Sequence, residues 1–426
     1  MTAKLRLLSV LVYGIIFAAL VLRRGELILL ALPLIVYIVA GFLSEPDTPR
    51  LEARRTLSAE WTRANMPVRM ELSVTNLGSR DAQVLIEDTL PPGILLLEGN
   101  SHILTNISPG ESVILDYTFS TRRGRYTFDA VQTSSRDPLG LLGRRQTLSA
   151  PAQLLVLPEL TRLRPIPLRP RRTHGFTGPI PARRAGSGIS FFGVRQYQLG
   201  DPMRRINWKV STHHDQEIFT NEFEQERITD VGLILDARQK SNVRLGEDSL
   251  FEHAVQAAAS LADVFISEGH RVGLLVYGRT REMTSPGYGK RQRQRILRAL
   301  ARAQTGDNIA LETLSYLPTR FFPARSQIVL VSSLLADDLP ILSRLRACGY
   351  HLLVVSPDPV NFEAQSTLKP TGLEYTCARR IARLERVLLL QKMGRIGIRT
   401  IDWQVDQSLD RVLWTALGRA HSVVLG

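Results

Sequence analysis

Two apolar stretches lie at the start of the chain, with only four residues between them. Residues 7–22 carry no charge, the next four include Arg23, Arg24 and Glu26, and residues 27–43 are again apolar. Each stretch approaches the roughly 17–25 residues that a helix needs to cross a bilayer. Because the break is too short for a folded loop, the pattern predicts a transmembrane helical hairpin over residues 1–48, with helices at about 7–22 and 27–43.

The charges around this hairpin predict its orientation. Basic residues occupy both its ends and its turn: Lys4, Arg6, Arg50, Arg54 and Arg55 at the ends, against Arg23 and Arg24 between the helices. The positive-inside rule then favours both ends on the cytoplasmic side. We therefore expect a multi-pass protein of the cell membrane (inner or plasma membrane) with its soluble domains in the cytoplasm. A signal peptide that starts at Lys4 and Arg6 and a buried hairpin of a soluble domain are the alternatives.

Residues 51–160 have a different pattern from the N-terminal stretches, because apolar and polar residues alternate there. The alternation is clearest at 68–74, further apolar stretches lie at 84–87 and 112–117, and turns that contain Pro and Gly divide them. A period of two is typical of half-buried strands. Six to eight short strands at this spacing predict an immunoglobulin-like β-sandwich, a packing or interaction module.

Apolar strands and amphipathic helices alternate in the C-terminal half. The run 231–236 is continuously apolar and ends in Asp236, and residues 250–267 have helical spacing. Repeated βα units of this kind predict an α/β domain with a doubly wound parallel sheet. Because ligands of such sheets bind at the carboxyl ends of the strands, attention falls on Asp236 and on Ser332 and Ser333.

Composition narrows the classes of partner. Lys and Arg total 54 against 40 Asp and Glu, so the formal net charge is +14, which favours anionic partners. The two cysteines, Cys348 and Cys377, are too few for a disulfide framework or a zinc site with four thiolates.

A basic, proline-rich connector is expected over residues 161–190. It has no acidic residue between Arg162 and Gly188, and its prolines disfavour helix and central strand. We therefore expect an exposed, extended linker whose arginines are solvated or lie on anionic lipid. Nucleic acid is not expected as a partner, because Phe176 is the only aromatic residue there for base stacking.

The most distinctive stretch of the chain covers residues 191–227. Its notable members are Arg195, Tyr197, Gly200, Asp201, Arg204, Arg205, Asn207, Trp208 and Lys209, followed by Glu224, Glu226 and Arg227. This arrangement resembles the signature of the domain of unknown function 58 family, which reads roughly G-x-R-x-Y-x-x-G-D-x-x-R-x-I-N-W-K and continues with E-x-E-R. The mixed charges around Ile206 and Trp208 form either an internal salt-bridge and stacking network or a direct partner surface.

The resemblance implies further features of fold and partners. Family members usually carry an N-terminal membrane hairpin, and residues 191–426 would hold the signature segment and a von Willebrand factor A-like α/β domain. Members are often associated with MoxR-type AAA+ ATPases, and some with transglutaminase-like membrane proteins. The expected chain is therefore multidomain: hairpin, immunoglobulin-like β-sandwich, connector and von Willebrand factor A-like domain.

The resemblance also implies a metal site that this sequence does not retain. In a von Willebrand factor A-like domain the first strand normally ends in Asp-x-Ser-x-Ser, which holds a divalent cation through oxygen ligands. Arg238 and Lys240 stand at the two serine positions after Asp236. The strand that would offer Ser-Asp reads Ser332-Ser333-Leu334, with Asp337 and Asp338 a few residues beyond. We therefore expect no metal or cofactor, and a partner contact through Asp236, Arg238, Lys240, Ser332 and Ser333.

Motifs of common catalytic chemistry do not occur in the sequence: it has no P-loop, GxSxG or HExxH. The nearest ligand cluster is His213-His214-Asp215, whose adjacent histidines would point to opposite faces of a strand. We expect a membrane-anchored adaptor, not an enzyme, that works with a MoxR-type AAA+ ATPase in complex assembly or envelope maintenance. A hydrolase-like enzyme and a basic protein that binds nucleic acid or lipid are the alternatives.

Overall fold

The chain forms two compact units, residues 1–157 and 158–426. The structure is a computed structural model. It describes residues 3–43, 49–136, 141, 143–166, 180–213, 217–227, 229–278, 282–306, 322–323, 326–365 and 372–422.

Two apolar helices begin the first unit, α1 (Ala3–Leu22) and α2 (Glu26–Leu43). Leu5, Val12 and Ala19, seven residues apart on α1, are buried, and Ala31 of α2 is buried as well. By length and composition Lys4–Leu22 is apolar enough to cross a membrane, whereas the apolar part of α2, Glu26–Gly41, is shorter. The apolar N-terminal helices are thus confirmed, and one or two of them have the character of a membrane anchor.

A β-rich region follows the helices. Its nine described strands are β1 (Leu51–Leu57), β2 (Trp61–Arg63), β3 (Val68–Asn76), β4 (Ala82–Asp88), β5 (Ile94–Gly99), β6 (His102–Ile107), β7 (Ser112–Thr121), β8 (Gly124–Arg136) and β9 (Gly143–Leu157). They form a four-stranded sheet in the order β1-β3-β7-β5 and a five-stranded sheet in the order β2-β9-β8-β4-β6. Leu72 and Phe119 of the first sheet share one buried core with Ile86 and Phe128 of the second. The stretches at 68–74, 84–87 and 112–117 lie in β3, β4 and β7, whereas the described strands number nine and not the six to eight expected.

One basic residue of this unit has a different place from the one that the sequence suggested. Arg55 was counted among the charges that flank the membrane hairpin, but its side chain is fully buried. Its guanidinium donates to Asp88 and to the carbonyl of Ala150, and Tyr117 Oη donates to the same carboxylate at 2.7 Å. Burial, with the charge of Asp88 beside it, raises the pKa of Tyr117. Arg55 is therefore a core residue that does not bear on membrane orientation.

The second unit contains the remaining described strands and α-helices. They are β10 (Ile180–Gln196), α3 (Trp208–Ser211), β11 (Phe219–Arg227), β12 (Asp230–Ala237), β13 (Arg244–Leu245), β14 (Asp248–Ser249), α4 (Leu250–Ser267), β15 (Arg271–Gly278), β16 (Glu282–Gly287), α5 (Gly289–Arg302), β17 (Gln327–Val331), α6 (Asp338–Ala347), β18 (His351–Pro357), α7 (Pro359–Glu363), α8 (Leu373–Arg395), β19 (Arg399–Trp403) and α9 (Leu409–Ser422).

A six-stranded sheet in the order β16-β15-β12-β17-β18-β19 organises this unit. Five strands are parallel, and every residue of the central strands β12 and β17 is buried, as in sheets covered on both faces. The edge strand β16 is antiparallel to β15, which departs from the all-parallel expectation. A connection of three residues, 279–281, permits a hairpin but not the long crossover that a parallel strand needs.

The expected connector also differs from the structure. Its last eleven residues, 180–190, belong to β10, which pairs antiparallel with β11 through several register shifts. Pro181 lies next to the start of the strand, where a missing N–H is tolerated. The first part is docked on the second unit as well, because the N–H of Thr161 donates to Ser260 Oγ at 2.9 Å and Ile166 is buried. Residues 167–179 lie outside the described residues.

Candidate functional site

The sheet brings Asp236 and Ser332 together at its carboxyl edge. Strands β12 and β17 are neighbours, with Leu235 opposite Val331, so the residues that follow meet at the same end. The hydroxyl of Ser332 donates to Asp236 Oδ2 at 2.6 Å, and both side chains are buried. The strand order reverses at this point, since β15 and β16 lie on one side of β12 and β17 to β19 on the other. This is where doubly wound sheets bind their ligands.

The guanidinium of Arg238 occupies the space in front of these strand ends. Its Nε donates to Asp236 Oδ1 at 2.9 Å, and its Nη2 donates to Asp236 Oδ2 and to Asp338 Oδ2, each at 2.7 Å. The group also lies over the ring of Tyr277, 5.5 Å from its centroid. Only 4% of Arg238 is exposed. The positive charge is thus held by two carboxylates and an aromatic ring inside the protein.

The protonation states of this cluster follow from its surroundings. Burial opposes the charge of Arg238, but the hydrogen bonds to Asp236 and Asp338 outweigh it and raise the pKa of the guanidinium. Burial, together with the negative charge of Asp236, raises the pKa of Tyr277 well above its ordinary value. Arg238 therefore stays cationic and Tyr277 stays protonated at physiological pH.

The turn after β17 supplies the second acid. Leu334 is buried and has a φ of 62°, a conformation that costs a β- or γ-branched residue about 1–3 kcal/mol. Its N–H donates to Ser332 Oγ at 3.1 Å, and the N–H of Leu335 donates to Asp338 Oδ2 at 2.8 Å. These bonds fold the chain back so that Asp338, at the start of α6, faces Arg238. The sequence showed Asp338 only as an acid beyond the strand, and the turn makes it part of the site.

The five residues expected to contact a partner therefore divide into two groups. Asp236, Arg238 and Ser332 are buried and bound to one another, and Ser333 is buried with its hydroxyl donating to the carbonyl of Ser241 at 2.7 Å. Lys240 is exposed. Arg238 was expected at the surface, and its burial leaves Lys240 as the accessible member of the pair.

A second buried arginine lies beside this cluster and was not identified from the sequence. Arg386 of α8 donates to the carbonyl of Ser333 at 3.0 Å, to Ser356 Oγ at 3.1 Å and to Asp402 Oδ1 at 2.6 Å. Its Nε also lies 3.3 Å from Asp358 Oδ1. Arg386 therefore ties α8 to the carboxyl ends of β17, β18 and β19. The helical spacing of Arg386 and Met393, the two buried residues of α8, is the sequence signal that would have found it.

The signature segment contains an internal network, but it is centred on Arg195 and Asp201 and not on the charges around Ile206 and Trp208. Arg195 Nη2 donates to Asp201 Oδ1 at 2.7 Å, and its Nε lies 2.8 Å from Glu222 Oε1. The other carboxylate oxygen of Asp201 accepts a hydrogen bond from the N–H of Gln198. The backbone carbonyl of Asp201 accepts one from Tyr197 Oη. The hydrogen bond from Arg195 and that from the backbone lower the pKa of Asp201. Gly200 has a φ of 108°, which favours glycine at this turn.

Asn207 fixes the following turn. Its Oδ1 caps α3 by accepting from the N–H of Val210 at 3.1 Å, and its Nδ2 donates to Asn221 at 2.8 Å. Trp208, by contrast, is 64% exposed. The remaining basic members divide by exposure: Arg204 and Lys209 are exposed and Arg205 is half-buried. The side chains of Glu224, Glu226 and Arg227 lie outside the described residues, although their backbone forms part of β11.

The geometry does not fit the divalent cation that the resemblance implies. Arg238 places a fixed positive charge against the carboxylates that a cation would need. In the described part of the chain, no group of three or more His, Cys, Asp or Glu side chains is arranged to hold a metal ion. His214 and Asp215 of the histidine cluster lie outside that part.

Comparison with known proteins agrees with the signature. The model of the family described as "protein of unknown function DUF58" matches residues 193–363, which contain the Arg195 network and the Arg238 cluster. The chain is thus similar to the DUF58 family over this segment. The uncharacterized protein YeaD of Bacillus subtilis (strain 168) is 26% identical over 317 residues, which cover 72% of this chain and 76% of YeaD.

Two solved structures illustrate a similarity that covers about a quarter of this chain. The CARDB domain of the PF1109 protein from Pyrococcus furiosus is 14% identical and covers 26% of this chain and 90% of that domain, with a TM-score of 0.19. The ASH/PapD-like domain of human CEP192 is 13% identical and covers 26% of this chain and 89% of that domain, with a TM-score of 0.19. Similarity at this level carries no argument about function.

Proposed function

We propose that this protein is a DUF58 family member and a membrane-anchored adaptor, not an enzyme, whose von Willebrand factor A-like domain binds a partner without a metal ion. The observation that carries the proposal is the buried guanidinium of Arg238 against Asp236 and Asp338. A cation supplied by the chain itself keeps the strand ends in one arrangement whether or not divalent ions are present. The binding edge is therefore ready for its partner at all times.

Topology supports the two fold assignments within this proposal. The order β16-β15-β12-β17-β18-β19, with β12, the first strand of this sheet along the chain, in the middle and an antiparallel edge strand, supports the von Willebrand factor A-like assignment. Two sheets with one shared core, antiparallel except for the pairing of β2 with β9, support the immunoglobulin-like assignment of the first unit.

The partner is, on the family resemblance, a MoxR-type AAA+ ATPase, and the adaptor would recruit it for complex assembly or envelope maintenance. The exposed charge next to the site, Lys240, fits an acidic patch on such a partner. A transglutaminase-like membrane protein is a further partner by the same resemblance, and anionic lipid is the proposed contact of the connector arginines.

The proposed location is the inner or plasma membrane. The outward faces of α1 and α2 are apolar and exposed, for example at Leu7, Phe17 and Leu29, as expected of helices that face lipid. Without Arg55, the ends of the hairpin still carry Lys4, Arg6, Arg50 and Arg54 against two arginines in the turn. Two spans with both soluble units in the cytoplasm follow from this balance.

A crosslinked pull-down of the full-length protein from its native membrane, read by mass spectrometry, tests the proposal. Lys240→Glu reverses the exposed charge beside the site, and Arg298→Glu reverses an exposed charge on α5 as a matched control. We expect an AAA+ ATPase to be recovered with the native chain and with Arg298→Glu, and to be reduced with Lys240→Glu.

The other outcomes are equally specific. Loss of the ATPase with Arg298→Glu alone would show that the partner contacts α5 and not the sheet edge. Recovery of nucleic acid, removed by nuclease, would favour the basic nucleic-acid-binding alternative. Absence of any ATPase from all three samples would contradict the partnership.

A further inference from the structure

Helix α8 has an apolar face that the described part of the chain leaves uncovered. The helix has 23 residues, of which only Arg386 and Met393 are buried. Ile381 is 57% exposed and Leu388 54%, and Leu384 and Cys377 are exposed too. A surface helix normally turns its apolar stripe towards the core. Here a second stripe lies on the solvent side, which is typical of an interaction surface.

The spacing of this stripe is that of a coiled coil. Cys377, Ile381, Leu384 and Leu388 follow one another at intervals of four, three and four residues. At 3.6 residues per turn they fall within about 60° of the helix circumference and extend over about 17 Å. They correspond to heptad positions d, a, d and a, and an Ile at a followed by a Leu at d favours parallel dimers.

The charges beside the stripe select the partner. In this register Arg380 lies at a g position on one flank and Glu385 at the following e position on the other. In a parallel pair of identical helices, Arg380 of one copy faces Glu385 of the second copy, which is favourable. In an antiparallel pair the like-charged flanks would face each other. The stripe is therefore complementary to itself in one orientation only.

We propose that α8 pairs with α8 of a second copy of this chain as a short, parallel, in-register coiled coil. Arg386 lies roughly on the opposite side of the helix and donates to the carbonyl of Ser333, so each paired helix is fixed to the carboxyl edge of its own sheet. The dimer would thus present two copies of that edge in a defined arrangement. The inference does not depend on the identity of the proposed partner.

The interface is small, which determines how it must be tested. Four side chains per copy bury much less than the roughly 800 Å² per partner of a standard interface. The pair is therefore expected to be weak in dilute solution, and confinement to a membrane would raise its effective concentration. The test uses the full-length chain in its membrane.

A native cysteine, Cys377, makes the pairing of the two helices detectable by disulfide crosslinking. Cys377 lies on the stripe, and facing d positions of a parallel pair are close enough for a disulfide. Cys348, the second exposed cysteine, lies outside α8 and is a matched control. Mild oxidation with copper phenanthroline should give a disulfide-linked dimer that persists in Cys348→Ser and is lost in Cys377→Ser.

Further variants separate specific pairing from random collision. Leu384→Glu places a charge in the stripe and should lower the crosslinked fraction about tenfold or more, whereas Arg379→Glu, exposed on the far side of the helix, should leave it unchanged. Arg380→Glu should weaken crosslinking, and adding Glu385→Arg in the same chain should restore it.

Three outcomes would overturn the proposal. One is the absence of a Cys377 disulfide under conditions that oxidise an added thiol. Another is a dimer that needs both Cys348 and Cys377, which would show a different, head-to-tail contact. The third is crosslinking through Cys377 that Leu384→Glu does not reduce.

Discussion

Arg238 is bound by the carboxylate of Asp236, two residues before it in the chain, through two hydrogen bonds of 2.9 and 2.7 Å. The backbone N–H of Arg238 donates to the same carboxylate, so Asp236 binds both the backbone and the side chain of the turn that follows its strand. Two-point pairing of this kind is stronger and more directional than a lysine–carboxylate contact. Arg238 is therefore a structural residue that fixes the conformation of the carboxyl edge of the sheet.

Removing this guanidinium should strongly destabilise the second unit. Arg238→Met leaves the carboxylates of Asp236 and Asp338 buried and facing each other, and breaking a buried pair costs about 3–5 kcal/mol. Lys240→Met removes an exposed charge two residues away and should change the unfolding free energy by less than about 0.5 kcal/mol. Calorimetric unfolding of the full chain measures both. Equal melting temperatures for the two variants would contradict the buried ion pair.

Arg55 provides the corresponding comparison in the first unit. Arg55→Met should cost about 3–5 kcal/mol, because Asp88 would lose its ion pair in the core. Its neighbour Arg54 has a side chain that is 82% exposed, so Arg54→Met should be nearly neutral. The melting temperature of the first unit, measured in the same calorimetric scans, tests both variants. A neutral Arg55→Met would show that the guanidinium is solvated after all.

The pair formed by half-buried Glu268 and buried His270 predicts a pH dependence of the second unit. Glu268 Oε1 accepts the N–H of Ile166 at 3.0 Å, and Glu268 Oε2 lies 3.7 Å from His270 Nε2. Burial raises the pKa of Glu268 from 4.5 to about 7 and lowers the pKa of His270 from 6.5 to about 4. The histidine is therefore neutral near pH 7, and the contact is not an ion pair there.

The two groups act on stability in opposite directions. The raised pKa of Glu268 stabilises the folded state below pH 4.5, and this stability is lost as pH rises towards 7. The lowered pKa of His270 stabilises it above pH 6.5, and this stability is lost as pH falls towards 4. Glu268→Gln removes the first effect and keeps the acceptor for Ile166.

The expected result is a change in the shape of the stability profile. Relative to the native chain, Glu268→Gln should gain on the order of 1–3 kcal/mol between pH 4.5 and 7. Denaturant unfolding at several pH values measures the difference. A constant difference across this range would contradict a raised pKa at Glu268.

Elements with strong periodicity were predictable from the sequence. The helix at Leu250–Ser267 begins and ends at the predicted residues, and the buried strand that ends near Asp236 differs by one residue at each end. Continuous or regularly spaced apolar residues determine these elements through burial alone. The strand β10 could not be predicted in the same way, because its backbone pairing with β11 is formed by Gly-, Pro- and Arg-containing sequence.

The buried arginines are a second feature that could not be predicted from the sequence. Arg55 and Arg238 were expected at the surface, and Arg386 was not singled out, because arginine is rarely buried unless it is paired. Two of their partners lie far away in the chain: Asp88 is 33 residues from Arg55, and Asp338 is 100 residues from Arg238. Only the tertiary fold brings such acids to the arginine. Sequence reasoning therefore found the site at Asp236 but not the arrangement that fills it.

A Mn²⁺ titration of the full-length protein, followed by the EPR signal of the free ion, tests most directly whether the sheet edge works without a metal. The native chain should show no binding that depends on Asp236, whereas Arg238→Ser should gain a site from the oxygens of Asp236, Ser332 and Asp338. That gain should also raise the melting temperature of the variant in Mn²⁺. Mn²⁺ binding by the native chain that Asp236→Ala abolishes would contradict the account.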